Sequence, residues 1–84
     1  MHTNIEYTGT EAEKQARAMK DIQEWFGSRY AEITRDFKGA IIHENMTEEH
    51  FRTLCAFGGI QGYPITVWWQ KLQDEIANDQ NPEQ

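Results

Sequence analysis

Side chains able to do chemistry are densest between residues 43 and 50, where two histidines and three glutamates occur: His43, Glu44, Glu48, Glu49 and His50. The zincin pattern places its two metal-binding histidines about four residues apart on one helix. Here seven positions separate the histidines, and a helix cap predicted at Thr47 falls between them. They would therefore not share a helical face. We interpret the cluster as the solvated, acidic start of a helix and predict neither a metal site nor a cofactor.

The other catalytic patterns are also incomplete. Cys55 follows His50 by five positions, which puts the two side chains on different helical faces, and no third residue is placed to orient the base. The glycine-containing stretch 58–62 lacks the Lys and Ser/Thr that complete a phosphate-binding loop. The sequence therefore predicts a protein that is not an enzyme. A single cysteine rules out an internal disulfide and fits a reducing, cytoplasmic location.

The stretch from Leu54 to Trp68 has the spacing of a helix-turn-helix, with its apolar, small and glycine positions filled by Leu54, Cys55, Gly59, Ile60, Ile65 and Trp68. Over about fifteen residues it resembles the pattern of phage and bacterial regulators. It departs from that pattern at Gly58, Gly62 and Pro64. Pro64 can serve as a first-turn residue, whereas Gly58, Gly59 and Gly62 together make the turn loose. The resemblance implies a DNA-binding regulator acting as a dimer, with a reading face made of Gln61, Tyr63, Thr66, Gln70 and Lys71.

The distribution of charge opposes DNA binding. The chain carries a formal net charge of −6. Residues 11–38 are balanced, whereas residues 39–84 hold only Arg52 and Lys71 against seven acidic side chains: Glu44, Glu48, Glu49, Asp74, Glu75, Asp79 and Glu83. Because DNA affinity rests largely on neutralising phosphates, a binder normally shows a basic footprint. We therefore treat DNA binding as the alternative function.

Several aromatic and apolar residues fall outside the predicted core. Trp25 points about 60° away from the apolar arc of the first helix, Val67 points nearly opposite the stripe of the last helix, and Tyr63 sits in a Gly-Pro loop. Trp, Tyr and Arg supply most of the energy at protein interfaces. The leading prediction is a non-catalytic, acidic protein-binding module whose partner-binding residues are Trp25, Tyr63, Val67, Glu44, Glu48 and Glu49.

The partner predicted for this module is a protein, and a basic one would be steered by the three glutamates. A small acidic protein that inhibits or modulates a larger complex fits this description. In size and charge alone, the chain is similar to viral inhibitors encoded by phages. No apolar run approaches the length of a membrane span, and no signal peptide is expected at the start.

These residues must be positioned by a mainly α fold, a single domain spanning residues 1–84. Thr10 and Glu13 form a capping-box signature, and apolar residues then recur at helical spacing through 10–38. Gly39 is the expected stop. Such a helix would be about 42 Å long, whereas a domain of this size is about 30 Å across. The helix therefore either kinks near Gly27-Ser28 or protrudes and forms a homodimer.

The second half of the chain, residues 47–78, predicts a helical hairpin that completes a small three-helix domain. Thr47 caps its first helix between Met46 and Phe51, and Gly58 follows its end. The last helix is expected from Pro64 to about Asn78, although residues 64–69 also have strand propensity. Residues 1–9 are expected to be extended. Residues 5–7 and 40–43 form either a minor two-stranded β element or extended segments, and 79–84 a frayed tail.

Overall fold

The structure, a computed structural model, describes residues 7–79 and is almost entirely helical. The elements are α1 (Glu11–Phe26), a 3₁₀ turn (Gly27–Arg29), α2 (Tyr30–Glu44), α3 (Glu48–Phe57) and α4 (Tyr63–Asp79). The predicted mainly α fold, with a long N-terminal helical stretch and a C-terminal helical hairpin, is confirmed. Asp79, placed in the predicted tail, is the last residue of α4, and the rest of that tail lies outside the described residues.

The first helix begins where the sequence predicts. The backbone N–H of Glu13 donates to the Thr10 hydroxyl at 3.2 Å, and the backbone N–H of Thr10 donates to the Glu13 carboxylate at 2.9 Å. Both bonds of a capping box are therefore formed, and two backbone donors that the helix cannot satisfy internally gain partners. Tyr7 to Gly9, the described part of the predicted extended segment 1–9, are not helical.

Gly27 bends the long helical stretch. Its φ of 59° and ψ of −134° lie in a region that residues with a Cβ rarely occupy, and α1 ends there. A straight helix from Glu11 to Glu44 would be about 50 Å long, but the longest dimension of the protein is 38 Å. The bend lets α1 and α2 both pack against α4. The kink at 27–28 is thus confirmed, and the apolar stripe of the long helical stretch packs within a single chain. The homodimer stays a prediction.

Gly39 does not end the helix, and the strand predicted at 40–43 is wrong because these residues are the last turn of α2. The apolar stripe continues from Phe37 to Ile41, which packs against the core. That burial offsets the roughly 1 kcal/mol cost of a glycine inside a helix. The helix ends instead at Glu44, and its cap residue Asn45, which has a left-handed φ of 57°, donates its N–H to the Ala40 carbonyl. No described residue pairs as a strand.

The helical hairpin has well-defined ends. The Thr47 hydroxyl accepts from the backbone N–H of His50 at 3.1 Å and caps α3. At the other end, the N–H of Gly59 bonds to the Ala56 carbonyl, and the N–H of Ile60 bonds to the Cys55 carbonyl. This pair of bonds is a Schellman motif, completed by the burial of Ile60. Residues 64–69 are helical rather than extended.

Trp68 of α4 is the centre of the core. It is fully buried, and its ring centroid lies 5.2–5.4 Å from those of Phe26, Phe37 and Phe51. These aromatic contacts connect α4 to α1, α2 and α3. Because one side chain contacts rings from all three neighbouring helices, α4 positions every surface described below.

Candidate protein-interaction surface

The predicted acidic residues lie together at the α2–α3 turn. Glu44 is the last residue of α2, and Glu48 and Glu49 are the first two of α3, all exposed. We call these three residues the acidic corner. Glu48 accepts two hydrogen bonds from the guanidinium of Arg52, at 3.1 and 2.9 Å. Glu44 and Glu49 are therefore the carboxylates best placed to attract a partner's cations.

No metal-binding cluster is present among residues 7–79, since no three His, Cys, Asp or Glu side chains there are arranged to hold an ion. Cys55 is 5% exposed, and burial raises the pKa of its thiol to about 11, with nearby Arg52 opposing the rise. The thiol is thus protonated near neutral pH, which makes it a poor nucleophile. The geometry here supports packing rather than chemistry.

Trp25 is half-buried rather than projecting, and it packs against the core cluster. It lines an open cleft of about 370 Å³ where the end of α1 and the start of α2 face the end of α3. The cleft is formed by eight residues, almost all apolar: Trp25, Phe26, Ile33, Phe37, Cys55, Gly58, Gly59 and Ile60. We call it the α2–α3 cleft. The predicted interface residue is therefore part of a concave apolar surface.

Tyr63 and Val67 lie elsewhere, in a groove of about 600 Å³ between α1 and α4. The Tyr63 ring packs against Tyr7 in a tilted arrangement, with ring centroids 5.1 Å apart, and its hydroxyl donates to Glu11 at 3.3 Å. Burial and the neighbouring Glu11 carboxylate raise the pKa of Tyr63. This α1–α4 groove shares no lining residue with the α2–α3 cleft. The residues predicted to bind a partner are thus spread over three separate places.

The residues predicted to read DNA lie mostly in the same α1–α4 groove. Its lining includes Thr66, Gln70 and Lys71, while Gln61 lies apart, near Arg52. Two of these side chains have acidic partners: Gln70 donates to Asp74 at 3.1 Å, and Lys71 pairs with Glu75 at 3.7 Å. A phosphate approaching this face would meet the carboxylates of Asp74 and Glu75, but also two cations, because Arg52 donates to the Thr66 hydroxyl and Lys14 lies over the Tyr63 ring. DNA binding stays an untested prediction, and the local charge does not favour it.

Phe57, which the sequence reasoning missed, is the most exposed large apolar side chain of the described residues, at 84%. Leu54, one helical turn earlier, is 40% exposed. Residues three apart on a helix are neighbours, so the two side chains form one apolar ridge on α3. Comparing angular positions around the helix, which selected Trp25 from the sequence, would also have selected Phe57, because it points about 120° away from buried Phe51.

No protein-family model matches the chain, and comparison with curated proteins and with solved structures gives no significant match to either. The function must therefore be inferred from the surfaces described above.

None of the helices within residues 7–79 combines the length and the apolar character needed to cross a bilayer.

Proposed function

We propose that the protein is a non-catalytic, protein-binding helical module that docks onto a partner through α3 and inhibits or modulates it by covering part of its surface. The observation that carries the proposal is the exposure of Phe57 beside Leu54, on a regular helix. Single exposed apolar residues are ordinary, whereas adjacent ones beside a concave apolar surface are typical of interaction sites. Leu54 lies four residues before Gly58, which lines the α2–α3 cleft, so the ridge borders that cleft.

The helix that carries the ridge, α3, is anchored to the core and capped at both ends. Phe51 is fully buried and contacts Phe37, with ring centroids 4.8 Å apart, as well as Trp68. The Thr47 cap and the Schellman motif fix the two ends of α3. A partner would therefore bind a preformed surface, which lowers the entropic cost of association.

The glutamates of the acidic corner that belong to α3, Glu48 and Glu49, lie at its N-terminal end, about one and a half to two and a half turns from the ridge. An apolar anchor with charges at its edge is the usual anatomy of a protein interface. The charges would speed the encounter with a basic partner, and Phe57 would supply most of the affinity. The protein carries a net charge of −6, which reinforces this preference.

The test compares three tagged proteins as baits in extract of the source organism: wild type, Phe57→Ser, and Ile42→Ser as the matched control. Ile42 is also exposed, at 39%, but lies on α2, one turn after Lys38, on the side that pairs with α4. We expect a partner that wild type and Ile42→Ser retain and Phe57→Ser loses. Its affinity is then measured with purified proteins. A partner retained equally by all three baits would overturn the proposal.

A further inference from the structure

A single residue, Gly27, bends the helical stretch formed by α1 and α2, and we call it the hinge. It has the one positive φ between the start of α1 and the end of α2. Phe26, Arg29 and Tyr30 around it all have right-handed helical dihedrals. No side chain of the intervening 3₁₀ turn is buried. Rotation of the hinge residue alone into the right-handed helical region would therefore join α1 and α2 into one straight helix.

The apolar faces of α1 and α2 would stay aligned in such a helix. At about 100° per residue, the side chains that pack in or against the core from both helices fall within an arc of about 100°. They are Met19, Ile22, Phe26, Tyr30, Ile33, Phe37 and Ile41. The straightened helix would therefore present one continuous apolar face along its length.

One chain cannot bury that whole face. The straight helix would be about 50 Å long, whereas the longest dimension of the protein is 38 Å, so α1 would leave α4 while α2 stayed in place. In the bent form α1 packs on α4, with Ala18 and Ile22 fully buried and the Phe26 ring centroid 5.2 Å from that of Trp68. The surface of α4 that α1 vacates is shaped for α1. A second copy of this chain supplies that same helix.

The charge along the stretch permits two copies to meet there. Residues 11–38 hold six basic and six acidic side chains, so they carry no net formal charge. The excess negative charge of the chain lies outside them. Electrostatic repulsion between copies that meet along this stretch is therefore weaker than the net charge of −6 suggests.

We propose that the protein forms a homodimer by exchanging α1: the hinge straightens in both copies, and α1 of each copy packs on α4 of the other. The contacts between α1 and α4 are recovered between copies, so the conformation of the hinge and the protein concentration set the balance of monomer and dimer. Trp25 and Phe26, which line the α2–α3 cleft, would then come from the second copy. Phe57 stays exposed on each copy, so the inference goes beyond the proposed function, and its test needs no partner protein.

The hinge is tested with Gly27→Ala, and Gly39→Ala is the matched control. The wild type and both variants are refolded from urea at a series of concentrations, and sedimentation gives their mass. Alanine at position 27 disfavours the bent conformation and favours the straight helix. Because each dimer contains two hinges, an effect of about tenfold per hinge lowers the dissociation constant of the dimer about 100-fold.

The control removes a glycine from the same stretch without acting on the hinge. Gly39 lies within α2, and a Cβ built on it meets nothing within 4 Å. Gly39→Ala should therefore dimerise as weakly as wild type. A Gly27→Ala variant that dimerises no more readily than Gly39→Ala would overturn the proposal.

D-alanine at position 27 should have the opposite effect. The hinge dihedrals, φ 59° and ψ −134°, are the mirror image of extended dihedrals that L-residues adopt readily. D-alanine therefore fits the bent form and disfavours the right-handed helix. A synthetic chain carrying it, made by ligation at Cys55, should stay monomeric at concentrations where Gly27→Ala is dimeric. Equal dimerisation of the two chains would contradict the role of the hinge.

A crosslink shows whether the dimer exchanges α1. Gln15 of α1 and Gln70 of α4 are exposed and line the same α1–α4 groove, so cysteines at both positions can be joined by a bismaleimide. In the Gly27→Ala dimer we expect links between chains, which double the mass under denaturing conditions. The chain without the two new cysteines, whose own thiol is buried, measures background crosslinking. Links only within single chains of that dimer would mean side-by-side pairing and would refute the exchange.

Discussion

The substitution Phe57→Ser should separate binding from folding. Phe57 is 84% exposed, so only a small part of its side chain contributes to the folded state. Fully burying a phenylalanine stabilises a protein by about 1.5–3 kcal/mol, and the buried sixth of this one by less than about 0.5 kcal/mol. Ser and Phe also have similar helix propensities. The free energy of unfolding should therefore stay within about 0.5 kcal/mol of wild type.

The expected loss of affinity is much larger. A phenylalanine buries about 150–250 Å² when it is fully covered. Covering the exposed 84% would remove roughly 170 Å² from water, worth about 4 kcal/mol at 25 cal/mol per Å². Ordering the side chain costs about 0.5–1.5 kcal/mol, and imperfect packing takes a further part. A net loss of about 2 kcal/mol corresponds to a roughly 30-fold higher Kd.

The assay pairs urea denaturation with isothermal titration of the purified partner, for wild type, Phe57→Ser and Ile42→Ser. The two variants remove exposed apolar side chains from different faces, so loss of surface hydrophobicity alone would affect both. A stability loss above about 2 kcal/mol in Phe57→Ser would mean that Phe57 is a core residue. An affinity unchanged in that variant would refute the reasoning that makes it an anchor.

Three further predictions concern two glycines after α3, the thiol of Cys55 and the hydroxyl of Tyr7. Gly59→Ala should destabilise the protein by about 1 kcal/mol or more, because Gly59 has a φ of 87°. Gly58→Ala should instead be neutral or stabilising. Urea denaturation of the two variants measures the difference in their free energies of unfolding. Cys55, with a pKa of about 11, should react with a thiol reagent at pH 8 at least about tenfold more slowly than in the denatured chain, and equal rates would contradict its burial. Burial, reinforced by the 2.6 Å hydrogen bond that the Tyr7 hydroxyl donates to Asp21, raises the pKa of Tyr7. The contribution of this neutral hydroxyl to the stability of the folded state is therefore complete below the unfolded pKa of about 10 and is lost as pH rises above it. Tyr7→Phe should therefore cost about 1 kcal/mol at neutral pH and show less alkaline destabilisation than wild type, and identical pH profiles would contradict this account.

The elements that the sequence predicted best are those specified by local hydrogen bonding. The caps at Thr10 and Thr47 and the glycine turn after α3 each need only a few neighbouring residues, so their signatures could be recognised in the sequence. The last helix was predicted because its apolar stripe continues through Leu72 and Ile76, which outweighs the strand propensity of residues 64–69. The helix indeed runs to Asp79.

The wrong predictions depended on tertiary packing. Gly39 was expected to end a helix, and residues 40–43 were expected to be extended, because glycine is a common helix stop and β-branched residues favour strands. Packing of Ile41 against the core and the left-handed conformation of Asn45 decide otherwise. The burial of Ile41 is not visible without knowing which helices pack against α2, whereas Asn45 is a local helix-stop signal that could have been recognised in the sequence.

The candidate site was predicted less well than the fold, for a related reason. Trp25 was selected by its angle on an isolated helix, yet the bend at Gly27 brings it against the core. Phe57 was overlooked because it lies at the end of a helix and next to the presumed turn of a helix-turn-helix. The exposure of Trp25 is set by which elements pack over it, and periodicity within a single helix does not specify this.

The most direct test of the protein-binding role places a photo-crosslinking amino acid at position 57 and, as a control, at position 42. Both proteins are irradiated in extract of the source organism, and the adducts are identified by mass spectrometry. We expect one dominant protein adduct from position 57, absent from position 42, with a basic peptide on the partner's side. Adducts of equal yield and identity from both positions, or none from position 57, would contradict it.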